Sequence, residues 1–269
     1  MNTTQDGPSV VVGTMRCSGS FNGLMVLGRD TDESRDFVEG AIAQGFRTFD
    51  TAPAYARGRA EEDLGAHLPG DASVWTKVGV DITTPLPTLD YSREGLVKSL
   101  QGSLKRLGRD HVEVAFVHNP EPTRVSDIGF AAFARHCSET GQADHIGVSV
   151  LLPEVSLPQI VGRLPAGSLV MCEADQLDPE DTSTIELLAD YRLVIRSLFS
   201  GGSRLHAASP GRRAESIAAR ISEVHEIFAP EAVVIGPRDR EQMHDYEPGP
   251  VWTSFPGRRP SPGGSHVAP

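Results

Sequence analysis

Short β-branched runs alternate with longer stretches of helical spacing from residue 9 to residue 246. Residues 10–13 (VVVG) read as a first strand, closed by Gly13-Thr14. Over 33–44, Phe37, Val38, Ala41 and Ile42 fall on one stripe behind an N-cap at Thr31 or Asp32, which predicts a helix. Gly45 stops that helix, and 46–49 form the second strand. The unit then recurs as helix 60–67 with strand 73–78, helix 92–107 with strand 112–117, and helix 130–139 with strand 146–150. It continues as helix 153–161 with strand 169–172, helix 183–189 with strand 192–198, and helix 214–228 with strand 232–235, before a last helix at 238–246. Leu96, Leu100, Leu104 and Leu107 make the clearest stripe, capped by Ser92 and stopped by Gly108.

Strand signals each followed by a helical signal indicate parallel β/α units, because parallel neighbours need a crossover. The fold class is therefore α/β, a (β/α)8 TIM barrel of about 250 residues in a single domain. A doubly wound open sheet would carry G-x-G-x-x-G after its first strand. Gly13 begins no such motif, the next glycines being Gly19 and Gly23. The barrel is assigned to 9–246, between a disordered N-terminal tail, 1–8, and a Pro/Gly-rich tail, 247–269, for which disorder is the simplest reading. In the latter, Trp252 and Phe255 are the features that suit a lid or an interface strip. The loop 200–213 is rich in Gly, Ser and Arg and either folds over a ligand or is mobile.

A composition of 39% hydrophobic and 23% charged residues over 269 positions describes an ordinary soluble globular protein. The net charge of -11 argues against a nucleic-acid partner, since phosphate binding needs clustered Lys and Arg. Cys17, Cys137 and Cys172 lack zinc-ligand spacing and read as small core residues in a reducing cytoplasm. No metal site is expected. An apolar signal segment is missing from 1–8, and no run of about 18 apolar residues suggests a membrane span. Oligomeric state leaves no mark on the sequence.

Ionisable groups stand where strands run out. Asp50 ends strand two with Tyr55 in the following loop, Lys77 ends strand three, and His118 ends strand four. Barrels gather their sites at this end. Neighbouring strands lie about 4.8 Å apart, so such side chains converge. A phenol titrates near 10 and is a weak acid at neutral pH. An ammonium beside a phenol favours the phenolate and makes the phenol a better proton donor, and a carboxylate keeps that ammonium charged and placed. The four residues thus read as an acid with its tuners, and His118 as the group that orients the reacting oxygen or relays the proton.

The stretch GFRTFDTAPAYARGRAEEDLGAHL (45–68) resembles the signature of the aldo-keto reductase superfamily, as do TKVG around Lys77, SLKRLGRDHVEVAFVHNP ending near His118, and IGVSV at strand five. Leu177-Asp178 and RSLF (196–199) are similar to a bacterial branch that accompanies sugar, polysaccharide and specialised-metabolite biosynthesis. The resemblance implies a catalytic tetrad of Asp50, Tyr55, Lys77 and His118. It also implies a nicotinamide cofactor, usually NADPH with NADH possible, and a small-molecule carbonyl substrate. Cofactor contacts are expected from Thr14, Asp50, Ser149, Met171, Arg196, Ser197, Leu198, Gly236, Arg238 and Gln242. Gly236 and the start of the last helix would offer N–H groups to phosphate, and Arg238 would pair with a 2′-phosphate or stack on adenine. Substrate would meet Met15, Trp75, His118 and Asn119, with Phe21, Met25 and Phe199 nearby; Trp75 reads equally as core filler.

Four positions depart from the family pattern. Val150 stands in place of an asparagine, as it does in the similar bacterial branch, Met171 in place of the glutamine that holds the carboxamide, Arg196 in place of the tyrosine behind the nicotinamide ring, and Tyr246 in place of an asparagine. The leading expectation is an NAD(P)H-dependent reductase of an aldehyde or ketone. The alternatives are a cofactor-binding regulatory or sensor subunit with little turnover, and a sugar or alcohol dehydrogenase running the reaction in reverse.

Overall fold

The computed structural model describes residues 7–15, 31–120, 129–151, 157–165, 167–199 and 212–250. The readings placed on Cys17, Phe21, Met25, Trp252, Phe255 and most of 200–213 fall outside these residues, as do most of the two tails.

Eight parallel strands close into a barrel. They are β1 (Ser9–Gly13), β2 (Thr48–Asp50), β3 (Ser73–Val78), β6 (Val112–His118), β7 (Ala143–Ser149), β8 (Leu169–Glu173), β9 (Arg192–Arg196) and β10 (Ala232–Ile235), and β10 returns to pair with β1. Helices follow as α1 (Thr31–Gln44), α2 (Arg59–His67), α3 (Arg93–Leu107), α4 (Phe130–Thr140), α5 (Leu157–Val161), α6 (Thr182–Leu188), α7 (Arg213–Phe228) and α8 (Arg240–Met243). The Ser92 hydroxyl caps α3 by accepting from Gly95 N, and Gly108 ends it at φ +62, a left-handed conformation that glycine adopts without strain.

The two-residue period of a strand decides which side chains reach the site. Val11, Trp75, Val114, Phe116, Leu169, Met171, Val194, Ala232 and Val234 fill the barrel interior. Their neighbours Val12, Phe49, Val74, Val117, Val148, Val170 and Ile195 face outward and join Phe37, Leu64, Leu96 and Phe133 of the helices. Carrying the inner rows two residues further reaches Gly13, Lys77, His118, Glu173, Arg196 and Gly236 at the carboxyl ends. Asp50 sits in register with Gly13 and Trp75, and Ser149 with His118. Gly147 belongs to the inner face, where an added Cβ would meet Leu169 O at 2.5 Å and the Phe116 ring at 2.8 Å. Any side chain there would force the β7–β8 wall apart.

Several expected boundaries move. The second strand is Thr48–Asp50 rather than 46–49, because Phe46 N still bonds back to Ala41 O in the turn after α1. Strand seven stops at Arg196, since Ser197 takes φ +57. An unforeseen antiparallel hairpin, β4 (Val80–Asp81) with β5 (Thr88–Leu89), follows β3 outside the barrel. The last helix is a single turn, Arg240–Met243, instead of 238–246. His244, Asp245 and Tyr246 N–H groups bond three residues back, and Gln44 Nε2 caps the carbonyls of Met243 and Tyr246.

Candidate active site

The carboxyl end of β3 is held rigidly from behind. Thr76 faces outward and donates to buried Glu61 at 2.6 Å, and Glu61 also receives Arg106 Nε at 2.7 Å. Glu113 accepts from Val74 N on the same strand. With its outer face tied to α2 and α3, β3 presents Lys77 inward. The Lys77 ammonium donates to both Asp50 oxygens, at 2.8 and 2.7 Å, and to Thr51 O at 2.9 Å. Both side chains are buried. Burial alone would lower the Lys77 pKa, but Asp50 and then Tyr55 reverse this and hold it above 10.5. Burial likewise raises Asp50 against the pull of Lys77. This is an ion pair kept out of water by the fold, so each charge depends on the other.

Tyr55 opens a short 3-10 turn (Tyr55–Gly58) after β2. Lys77 Nζ lies 4.8 Å from its ring centroid. The His118 ring meets the tyrosine edge-on, with centroids 6.3 Å apart and planes at 88°. Ala56 and Arg57, next in the turn, both take left-handed backbone at φ +48 and +54, a conformation costing on the order of 1–2 kcal/mol per residue. The Arg57 guanidinium offsets that strain by donating to Ile82, Thr84 and Pro85 carbonyls, which ties the tyrosine turn to the β4–β5 hairpin.

His118 ends β6, and the buried Tyr91 hydroxyl lies 3.0 Å from both His118 O and Asn119 O, sharing its proton between them. Asn119 takes φ +43 and donates its N–H to Ser149 O. Burial, then the charges of Lys77 and Arg196, lower the His118 pKa from 6.5 to about 3. The imidazole is neutral at pH 7, and its buried Nδ1 has no partner among the described residues. Below about 6.5 the unfolded chain gains a proton that the folded chain refuses, so stability falls as pH drops from 6.5 toward 3. Urea midpoints compared at pH 7 and pH 5 should fall further for the native protein than for His118→Gln. His145, also lowered by burial, titrates in both and cancels.

Arg196 reaches over the mouth from β9. Its guanidinium donates to Glu173 Oε1 and, at 3.1 Å, to Val150 O, while the Ser197 hydroxyl donates to the same Glu173 oxygen at 3.2 Å. The Arg196 charge is felt at both Asp50 and His118. Nothing in the sequence reading singled out Glu173. It lies one residue past the expected end of its strand, and only continuation of the Leu169-Met171 inner row would have found it.

A cleft of about 210 Å³ runs from Gly13, Met15, Asp50 and Tyr55 past Arg196, Ser197, Leu198 and Phe199 to Gly236, Arg238 and Gln242. Arg213, Asp245 and Tyr246 also line it, and Arg213 pairs with Asp245 at 3.3 Å. The other expected contacts fall elsewhere. Thr14 is buried with its hydroxyl donating to Asp50 O at 3.1 Å, and Ser149 is buried beside His118. Met171 and Trp75 lie inside the barrel, Trp75 against Phe116 at 5.9 Å one layer beneath Lys77. The Arg238 N–H donates to Gln242 Oε1, and Asp239 caps α8 by accepting from Gln242 N. One carboxylate-capped turn makes a poor phosphate cradle, and the cationic side chains lining this end of the cleft are Arg238 and Arg213. Cys137 and Cys172 are buried free thiols whose pKa burial pushes up to about 12, inert as nucleophiles. Among the described residues no helix is long and apolar enough to cross a membrane.

Residues 9–156 match the profile described as Aldo/keto reductase family. The putative voltage-gated potassium channel subunit beta of Schizosaccharomyces pombe is 33% identical over 129 residues, 45% of this chain and 37% of that protein. Aldo-keto reductase AKR2E4 of Bombyx mori is 30% identical over 193 residues, 68% of this chain and 58% of that protein. The matched part is thus well short of the full length of either relative. Among solved structures, the holo form of aldo-keto reductase AKR11C1 from Bacillus halodurans superposes with a TM-score of 0.70 at 18% identity, covering 88% of this chain and 84% of that one. At that identity the likeness is one of fold.

Proposed function

The chain belongs to the aldo/keto reductase family, and on that premise we propose that it is an NAD(P)H-dependent oxidoreductase that reduces an aldehyde or ketone to the alcohol, with Tyr55 as proton donor. The observation that carries the reading is the buried Asp50–Lys77 pair beside the Tyr55 ring with a neutral His118 at the ring edge. The described residues suit a dinucleotide. The cleft leads from this cluster to Arg213 and Arg238, and the buried Arg196 Nε within it has no protein partner among the described residues.

A bound nicotinamide would supply the hydride to the carbonyl carbon. Tyr55 gives the phenol proton to the carbonyl oxygen, and the Lys77 ammonium stabilises the phenolate left behind. Asp50 keeps Lys77 charged and aimed. Neutral His118 offers a hydrogen bond to the carbonyl oxygen and adds no second charge, which suits an oxygen gaining negative character from fixed donors. Guanidinium groups at the far end favour the additional phosphate of NADPH over NADH.

Met171, buried and apolar where the family's amide-holding glutamine is expected, favours a second reading: a subunit that binds the cofactor and turns over little. The name of the Schizosaccharomyces pombe relative points the same way. One experiment separates the two. Fluorescence titration with NADPH and NADH is followed by loss of reduced-cofactor absorbance against a panel of aldehydes, ketones and hydroxylated sugars. Binding with turnover of any panel member supports the reductase. Binding without turnover supports the sensor, and no binding overturns both.

A further inference from the structure

The mouth of the barrel is electrically neutral by pairing. Lys77 cancels Asp50, His118 is uncharged, and Glu173 cancels Arg196. Glu173 and Arg196 stand in register at the ends of β8 and β9, above the apolar Met171 and Val194. The Ser197 hydroxyl and Val150 carbonyl fix the pair further, so the guanidinium is a placed charge rather than a waving one. Arg196 also lines the cleft beside Asp50 and Tyr55.

We propose that Glu173, by neutralising Arg196, sets the preference of the cleft between the oxidised and reduced forms of the nicotinamide cofactor. This rests on the cofactor reading above. The oxidised ring carries one positive charge that the reduced ring lacks, so the ratio of their affinities reads the net charge of the wall they lie against. With Glu173 present that wall is neutral and tolerates the cationic ring. Without it, the same ring meets an uncompensated guanidinium whose side chain is 20% exposed and so only partly screened by water. Glu173 acts through Arg196 and is a positioning residue.

The test is a double-mutant cycle on the full chain, with Glu173→Gln, Arg196→Gln and the double variant. Dissociation constants for NADP+ and NADPH are measured separately by fluorescence. Glu173→Gln should weaken NADP+ relative to NADPH on the order of tenfold. Arg196→Gln, which leaves the carboxylate unpaired, should shift the ratio the opposite way, and the double variant should return it to the native value. A purely structural role weakens both forms alike, so equal losses in the two single variants overturn the proposal. An unmoved ratio with intact binding overturns it as well. Failure of the native protein to bind either form overturns it together with the cofactor reading, whereas an unmoved ratio leaves that reading standing.

Discussion

Tyr55→Phe should lose carbonyl reduction by about 10²–10⁴-fold while binding reduced cofactor as the native protein does, the range expected when a positioned proton donor is removed. The substitution deletes one oxygen. The ring stays, and with it the edge-on contact to His118 and the Lys77 cation over the aromatic face. Folding and cofactor affinity are therefore controls rather than variables. The loss should appear in kcat and kcat/KM together, because the bond that is removed forms as the carbonyl oxygen becomes an alkoxide. Equal turnover by Tyr55→Phe and native protein would remove Tyr55 from the chemistry and leave the Asp50–Lys77 pair as a structural feature of the mouth.

The cluster could be found from sequence because the strand period is simple. Trp75 and Lys77, or Phe116 and His118, are separated by two residues, so an apolar interior position predicts that the polar group following it emerges at the rim. The same rule applied to Leu169 and Met171 leads to Glu173, but strand β8 was expected to end at Cys172, and a single residue of boundary error hid the partner of Arg196. The hairpin β4–β5 was missed for a different reason. Its strands are two residues each, too short to show a period, and it is held by the Arg57 guanidinium from the tyrosine turn. The last helix is shorter than its local pattern predicts, because Gln44 of α1, about two hundred residues earlier in the chain, takes the carbonyls that would have carried it onward. Local pattern fixed the wall of the barrel. Contacts between distant segments fixed the geometry above it.

Those distant contacts also divide the site into parts of unequal rigidity. Lys77 sits on a strand whose outer face is hydrogen-bonded to a helix and Asp50 on the strand paired beside it, while Tyr55 sits on a turn with two strained residues and one exposed arginine holding it. The charged pair is thus the fixed reference against which the phenol is placed.

Removing Lys77 should accordingly be the most damaging single change to stability. Lys77→Met takes away three hydrogen bonds and leaves the Asp50 carboxylate buried without its counter-charge, a loss of roughly 3–5 kcal/mol where a buried pair is broken from one side. The cost must depend on pH. An unpaired buried carboxyl binds its proton more tightly in the folded chain than in the unfolded one, so the penalty is absent below the unfolded aspartate pKa of about 4 and grows as pH rises toward the folded value. Urea unfolding should show a much smaller deficit of Lys77→Met against native at pH 4 than at pH 8, the remainder at pH 4 being the lost bond to Thr51 O. Replacing both partners, Lys77→Met with Asp50→Asn, deletes the isolated charge and should recover much of the stability at pH 8, because two neutral groups need no counter-ion. Turnover should stay low in the double variant, since the cation beside Tyr55 is still missing. A Lys77→Met protein as stable as native at pH 8 would mean that water reaches Asp50, and a double variant no more stable than the single would mean that Lys77 matters for its packing rather than its charge.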